Sequence, residues 1–141
     1  MFFKTILLLM INFALTEKIN HIKDFKWSNR LLIVLDRENL DFSEIFNQYS
    51  EQFIERDFVI IKISSKKAFI NQNQLSNKLT NSILKKIDNI KDGHHFILIG
   101  KDGRIKNSYP FNINLEEIFI EVDAMPMRKN EISKRNMDFS K

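Results

Sequence analysis

Three histidines and one compact cluster of opposite charges are the groups in this chain best suited to chemistry, and no cysteine accompanies them. Arg37, Glu38 and Asp41 follow closely on an apolar run, so a guanidinium stands near two carboxylates. Such a set can hold an anion or, with an imidazole in reach, move a proton. His94 and His95 are adjacent. On an extended segment their side chains point to opposite faces, which makes joint ligation of one metal ion difficult. His21 is distant from both. No metal and no cofactor are implied, and no helical His-Glu-x-x-His, phosphate loop or nucleophile elbow occurs. The missing cysteines exclude thiol redox chemistry, zinc-thiolate sites and iron–sulfur clusters. The plainer reading competes at every position. Arg37 and Glu38 solvate a loop, Asp41 caps a helix, and the histidines mark a surface or the start of a strand. Arg37, Glu38, Asp41, His94 and His95 are therefore the candidate ligand-facing groups, and no residue is assigned a catalytic role.

The elements that must carry these groups follow from periodicity. Leu31-Leu32-Ile33-Val34-Leu35 is an unbroken apolar run ending at Asp36, the pattern of a strand buried on both faces. Phe42, Ile45, Phe46, Tyr49, Phe53 and Ile54 recur at helical spacing after Asp41, with Glu44 three residues on as in a capping box. Phe58 to Ile63 forms a second buried strand. Ser64 to Gln74 is polar and reads as a loop. Leu75, Leu79, Ile83 and Ile87 define a second amphipathic helix. Asp92-Gly93 precedes a third strand, Phe96 to Ile99, and Lys101-Asp102-Gly103 turns the chain into Arg104 to Ser108 as a hairpin. Leu115, Ile118, Phe119 and Val122 share one face of a last helix, which Pro126 ends. The order is strand, helix, strand, helix, strand, strand, helix. Trp27, the sole tryptophan, reads as a plug at the edge of the core.

Residues 1–16 read as a secretory signal: Lys4 gives a charged start, Ile6 to Leu15 an apolar stretch too short to span a bilayer, and cleavage before Glu17 is compatible with Ala14 and Thr16. The expected location is accordingly the periplasm or the exterior. Residues 17–127 then hold one domain, with 16 Lys plus Arg against 16 Asp plus Glu. Residues 128–141 form a basic tail carrying Arg128, Lys129, Lys134, Arg135 and Lys141. A basic tail suits anionic polymers, although solvated charge on a frayed end explains it as well. Base-stacking aromatics do not interleave with the lysines, which argues against nucleic acid.

Three stretches together resemble the domain-of-unknown-function 4174 family of thioredoxin-like domains. They are Trp27-Ser28-Asn29-Arg30 with the strand that follows, Gly100-Lys101-Asp102-Gly103, and Asp123-Ala124-Met125-Pro126-Met127-Arg128. The resemblance runs from about Asp24 to Glu131. It implies an α/β thioredoxin-like fold with a mixed central sheet and helices on both faces. In thioredoxin-like redox enzymes the cysteines follow the first strand, where this chain has Asp36-Arg37-Glu38-Asn39-Leu40, and a proline precedes the third strand, where it has His94-His95. Both landmarks are absent. Similar domains in small secreted bacterial proteins, and in matrix proteins such as equarin and the sushi-repeat proteins, imply adhesion or scaffolding by analogy. The expectation is an exported, non-catalytic thioredoxin-like binding or scaffolding domain whose partner, a protein or an anionic envelope polymer, is unknown. Two alternatives stand beside it: a thiol-independent enzyme at the loop after the first strand, and a peripheral binder of anionic envelope polymers through the basic tail.

Overall fold

The computed structural model describes residues 19–37 and 40–139. A six-stranded mixed sheet runs through the molecule in the order β4-β3-β2-β1-β5-β6. Its strands are β1 (Arg30–Leu35), β2 (Phe58–Ser64), β3 (Lys67–Ile70), β4 (Asn73–Gln74), β5 (His94–Ile99) and β6 (Ile105–Pro110). β1 lies parallel to β2, with Leu32 opposite Ile60, and antiparallel to β5, with Ile33 opposite Ile97. The helices are α1 (Ser43–Gln48), α2 (Ser50–Glu55), α3 (Asn77–Lys86), α4 (Leu115–Asp123) and α5 (Pro126–Phe139), preceded by a 3₁₀ turn at Ile22–Phe25.

The apolar run of β1 is buried along its whole length because it serves two cores at once. Successive side chains alternate between faces. Leu31, Ile33 and Leu35 join Ile61, Ile97, Phe25 and the α3 residues Leu79 and Ile83. Leu32 and Val34 join Leu98, Phe53 from α2 and Ile118, Phe119 and Val122 from α4. Edge-to-face rings stiffen this second core, with Phe53 4.9 Å from Phe119 and 5.4 Å from Phe58. Among the described residues, no helix is long and apolar enough to cross a membrane.

Several expectations are corrected. The segment 64–74 is not a loop: β3 and β4 extend the sheet, Ala68 and Ile70 turning inward while Lys67 stays exposed. Ser65 and Lys66 make the tight connection with φ of 50° and 61°. The first helix is broken at Tyr49 into α1 and α2. Asp41 is not its cap: Phe42 holds that position without a side-chain bond, while the Asp41 carboxylate accepts from the Ser43 amide at 2.9 Å and hydroxyl at 2.6 Å. Pro126 does not merely end a helix. α4 closes at Asp123, and Pro126 is the first residue of α5, where its missing N–H has no intrahelical partner to lose. Trp27 does not plug the core. It is 66% exposed, with a φ of 68°, and its backbone N–H donates to the Lys101 carbonyl at 2.7 Å. The proposed signal segment, 1–16, lies outside the described residues.

Candidate functional site

The C-terminal end of β1 is where the sequence directs attention, and the register of β1 with β5 brings Asp36 and His94 to the same end of the sheet. Arg37 is exposed there, and Glu38 lies outside the described residues. Asp36, its side chain 3% exposed, pairs with Lys62 at 3.1 Å and accepts from the Leu40 amide at 3.1 Å. Asp41 is exposed and bound to Ser43, whose hydroxyl and amide hold its carboxyl below the usual aspartate range. His94 is half-buried, its Nδ1 2.5 Å from the Ser108 hydroxyl on β6. His95 is buried, with Nδ1 3.1 Å from the Gly93 carbonyl and its ring edge-on to Phe111. Its Nε2 is buried without a hydrogen-bond partner. The two imidazoles thus have separate partners, across an irregularity in the β5–β6 pairing between His94 and Phe96. Among the described residues, no three His, Asp or Glu side chains are arranged to hold a metal ion.

A denser set of charges occupies the opposite end of the sheet, and the signature residues supply half of it. Arg30 opens β1 with its side chain 1% exposed. It donates to the Arg56 carbonyl at 3.0 Å and grips both oxygens of Glu131 on α5 at 3.2 and 3.3 Å. Lys101, just past β5, donates to Glu131 at 2.7 Å and to Asp57 at 2.8 Å. Arg128 is equally buried and reaches Asp123 at 3.1 Å and Glu55 at 3.0 Å. Arg56 closes the set on Asp123 with bonds of 2.9 and 2.7 Å while lying over the Phe119 ring. Four buried or nearly buried cations therefore face the four carboxylates Glu55, Asp57, Asp123 and Glu131.

Electrostatics within the cluster follow from that packing. Burial alone would raise the carboxyls of Asp123 and Glu131. The guanidinium bonds from Arg56 and Arg128 more than offset it for Asp123, and Lys101 and Arg30 do so for Glu131, so both lie below the ordinary range. Burial likewise opposes charge on Arg128, but Asp123 and Glu55 raise its affinity for the proton. With every member paired, the cluster is built to position elements: it joins the starts of β1 and β2 and the end of β5 to α4 and α5. Sequence reasoning quoted Arg30, Lys101, Asp123 and Arg128 and missed Glu55, Arg56, Asp57 and Glu131. Each of those four reads alone as ordinary solvated charge bounding an element.

The other signature residues have structural positions too. The Asn29 amide donates to the Asp57 carbonyl at 3.1 Å. Asp102 binds the Lys106 ammonium at 2.7 Å. A side chain at Gly100 would strike Lys106, and one at Gly103, where φ is 79°, would strike Lys26. Ala124 ends α4, Met125 lies against the core beneath it, and Met127 is partly exposed on α5. Of the candidate groups at the other end, no two among Arg37, Asp41, His94 and His95 are joined by a hydrogen bond or ion pair, and Asp41, His94 and His95 each have separate partners.

Comparison with solved structures supports the fold. Prx1a of Plasmodium yoelii, modified at its N-terminus, aligns with a TM-score of 0.50 at 18% identity, covering 77% of this chain and 80% of that one. The reduced 2-Cys peroxiredoxin of Plasmodium vivax aligns at 0.49 and 17% identity, covering 76% and 83%. At such identities the likeness concerns the fold alone, a thioredoxin fold that here carries no cysteine. No curated protein matches the chain. A family model described as a domain of unknown function, DUF4174, matches residues 21–131, a span holding both the buried ion-pair cluster and the whole sheet, and the chain therefore belongs to the DUF4174 family.

Proposed function

We propose that the protein is an exported, non-catalytic domain that acts by binding or scaffolding. One observation carries this reading: where thioredoxin-like enzymes place their thiols this chain has no cysteine, and three of the polar groups at that end of the sheet are engaged in local bonds. Asp36 is held by Lys62 and Leu40, Asp41 by Ser43 and His94 by Ser108. His94 does stand beside a hydroxyl, that of Ser108, but among the described residues no carboxylate or carbonyl binds the other nitrogen of its ring, so the pair lacks the third group that orients the base in a nucleophile–base set. Export rests on the segment 1–16 and its charge and hydropathy pattern.

The test is direct. Purified protein offered peroxide, ester, phosphoester and glycoside substrates is expected to show no turnover above buffer. Turnover that disappears in Arg37→Ala or His94→Ala would overturn the reading in favour of thiol-independent catalysis. Export is checked separately, by fractionating cells that express the full chain and sequencing the N-terminus of the product. A species beginning at Glu17 outside the cytoplasm is expected, and an intact chain retained in the cytoplasm refutes export. Attachment through the tail has less support, because Arg128 and Arg135 are drawn onto Glu55.

A further inference from the structure

A cavity of about 200 Å³ opens near the start of β1, between the 3₁₀ turn, the β5–β6 turn and the last residue of α3. Phe25, Leu31 and Ile99, all buried, give it an apolar floor. Lys23, Lys26, Lys86 and His21 stand around it, and among the described residues no carboxylate lines it. The three lysines are exposed, and none has an ion-pair partner among the described residues. Asp24, the nearest acid in sequence, is occupied by the backbone amides of Asn20 and His21, both at 3.1 Å.

His21 adds an independent observation. Its Nδ1 accepts the Lys23 backbone N–H at 3.1 Å, so a neutral ring must carry its proton on Nε2. The second ring nitrogen is therefore a donor, like the three ammonium groups. A concave site with donors of one sign above a low-dielectric floor concentrates positive potential and attracts anions. Its size matters as well. An apolar cavity of about 150 Å³ holds benzene, so this one has room for a ring-sized body together with a charged group.

We propose that this cavity binds a small organic anion, a carboxylate or phosphate ester whose compact apolar body rests on Phe25, Leu31 and Ile99 while its charge meets Lys23, Lys26 and Lys86. The site is at the sheet end opposite Arg37 and His94, so it stands whether or not that end is catalytic. Trp27 adjoins Lys26, is exposed, and is the only tryptophan, which makes its fluorescence a local reporter.

Benzoate and phenyl phosphate are titrated into the purified protein, following Trp27 fluorescence and the amide NMR signals of Gly100 and Gly103. Inorganic phosphate supplies the charge without the body, and benzyl alcohol the body without the charge. At least one organic anion is expected to saturate, with both controls binding about tenfold more weakly. Which of the two binds tighter distinguishes carboxylate from phosphate. The triple variant Lys23→Gln, Lys26→Gln, Lys86→Gln should lose on the order of tenfold in affinity, a few-fold per exposed charge. The corresponding triple Lys→Arg variant should retain binding. No saturation by either anion, equal binding of a control, or undiminished affinity in the Gln variant at unchanged Tm overturns the proposal.

Discussion

Glu131 is the residue on which the ion-pair cluster turns, because Arg30 and Lys101 both donate to its carboxylate and Arg128 lies 3.5 Å from it. Glu131→Gln keeps the shape and removes the charge, leaving Arg30 buried without its counter-ion. Losing one partner of a buried pair costs about 3–5 kcal/mol, and the partial exposure of Glu131 places the expected loss near the lower end, about 3 kcal/mol by urea denaturation. A pH dependence accompanies it. Asp123 and Glu131 titrate lower in the folded chain than in the unfolded one, so on acidification the unfolded state takes up protons first. Their contribution is complete above the ordinary carboxylate values, about pH 4, and is lost as pH falls through the folded values. Thermal melts across that range should show a steep acid decline in the native chain and a shallower one in Glu131→Gln. At this scale the sequence was only partly legible. Arg30, Lys101 and Arg128 could be singled out, but their partners lie up to 101 residues away, and charge pairing at such separation leaves no local pattern. The Trp27 expectation failed for a related reason: its positive φ and its bond to the distant Lys101 carbonyl are not revealed by residue type.

At the level of elements, the strands of the central sheet were readable because burial on both faces forces continuous apolar runs such as Leu31 to Leu35. The β3–β4 extension was not, since edge strands need apolar residues on one face only. Ala68, Phe69 and Ile70 are too short a run to stand out among Lys66, Lys67, Asn71, Asn73 and Gln74. Its turn was also disguised. Ser65 and Lys66 both adopt positive φ, the geometry for which Asn-Gly is preferred. Replacing Ser65-Lys66 by Asn-Gly should therefore stabilise the protein by about 0.5–1 kcal/mol, measured as a higher urea midpoint with an unchanged slope. Slower amide exchange at Lys67 and Phe69 would locate the gain in the hairpin. A lower midpoint would show that the Lys66 side chain contributes more than its backbone strain costs.

For the molecule as a whole, the boundary expected at residue 127 does not separate a domain from a solvated tail. α5 begins at Pro126, and two of its residues, Arg128 and Glu131, belong to the buried cluster. Removing residues 128–141 should leave Arg30 without its counter-ion, take one of two carboxylates from Lys101 and remove Arg128 and Arg135 from Glu55, and lower Tm by at least about 10 °C. By contrast, Lys129→Gln with Lys134→Gln, which removes tail charge without touching the cluster, should leave Tm within about 2 °C. Equal stability of the truncated and full chains would mean that the cluster contributes nothing to the fold. Element order alone left several small α/β plans open, and the family resemblance selected the thioredoxin-like one, whereas the placement of this helix depended on contacts between distant parts of the chain.

The strand order has a kinetic consequence. β1 is the first of the described strands to be synthesised and also the most deeply buried, and it needs two neighbours: β2, the next strand, and β5, whose Ile99 must come back to Leu31. Until the chain has been made as far as residue 99, one long edge of Leu31 to Leu35 has no native strand to pair with. Closing so large a loop is slow, and an apolar edge left waiting is the kind that sticks to other chains. A nascent copy of this protein therefore spends its most aggregation-prone interval with β1 half covered, and whatever shields that edge during synthesis governs how much folded protein accumulates.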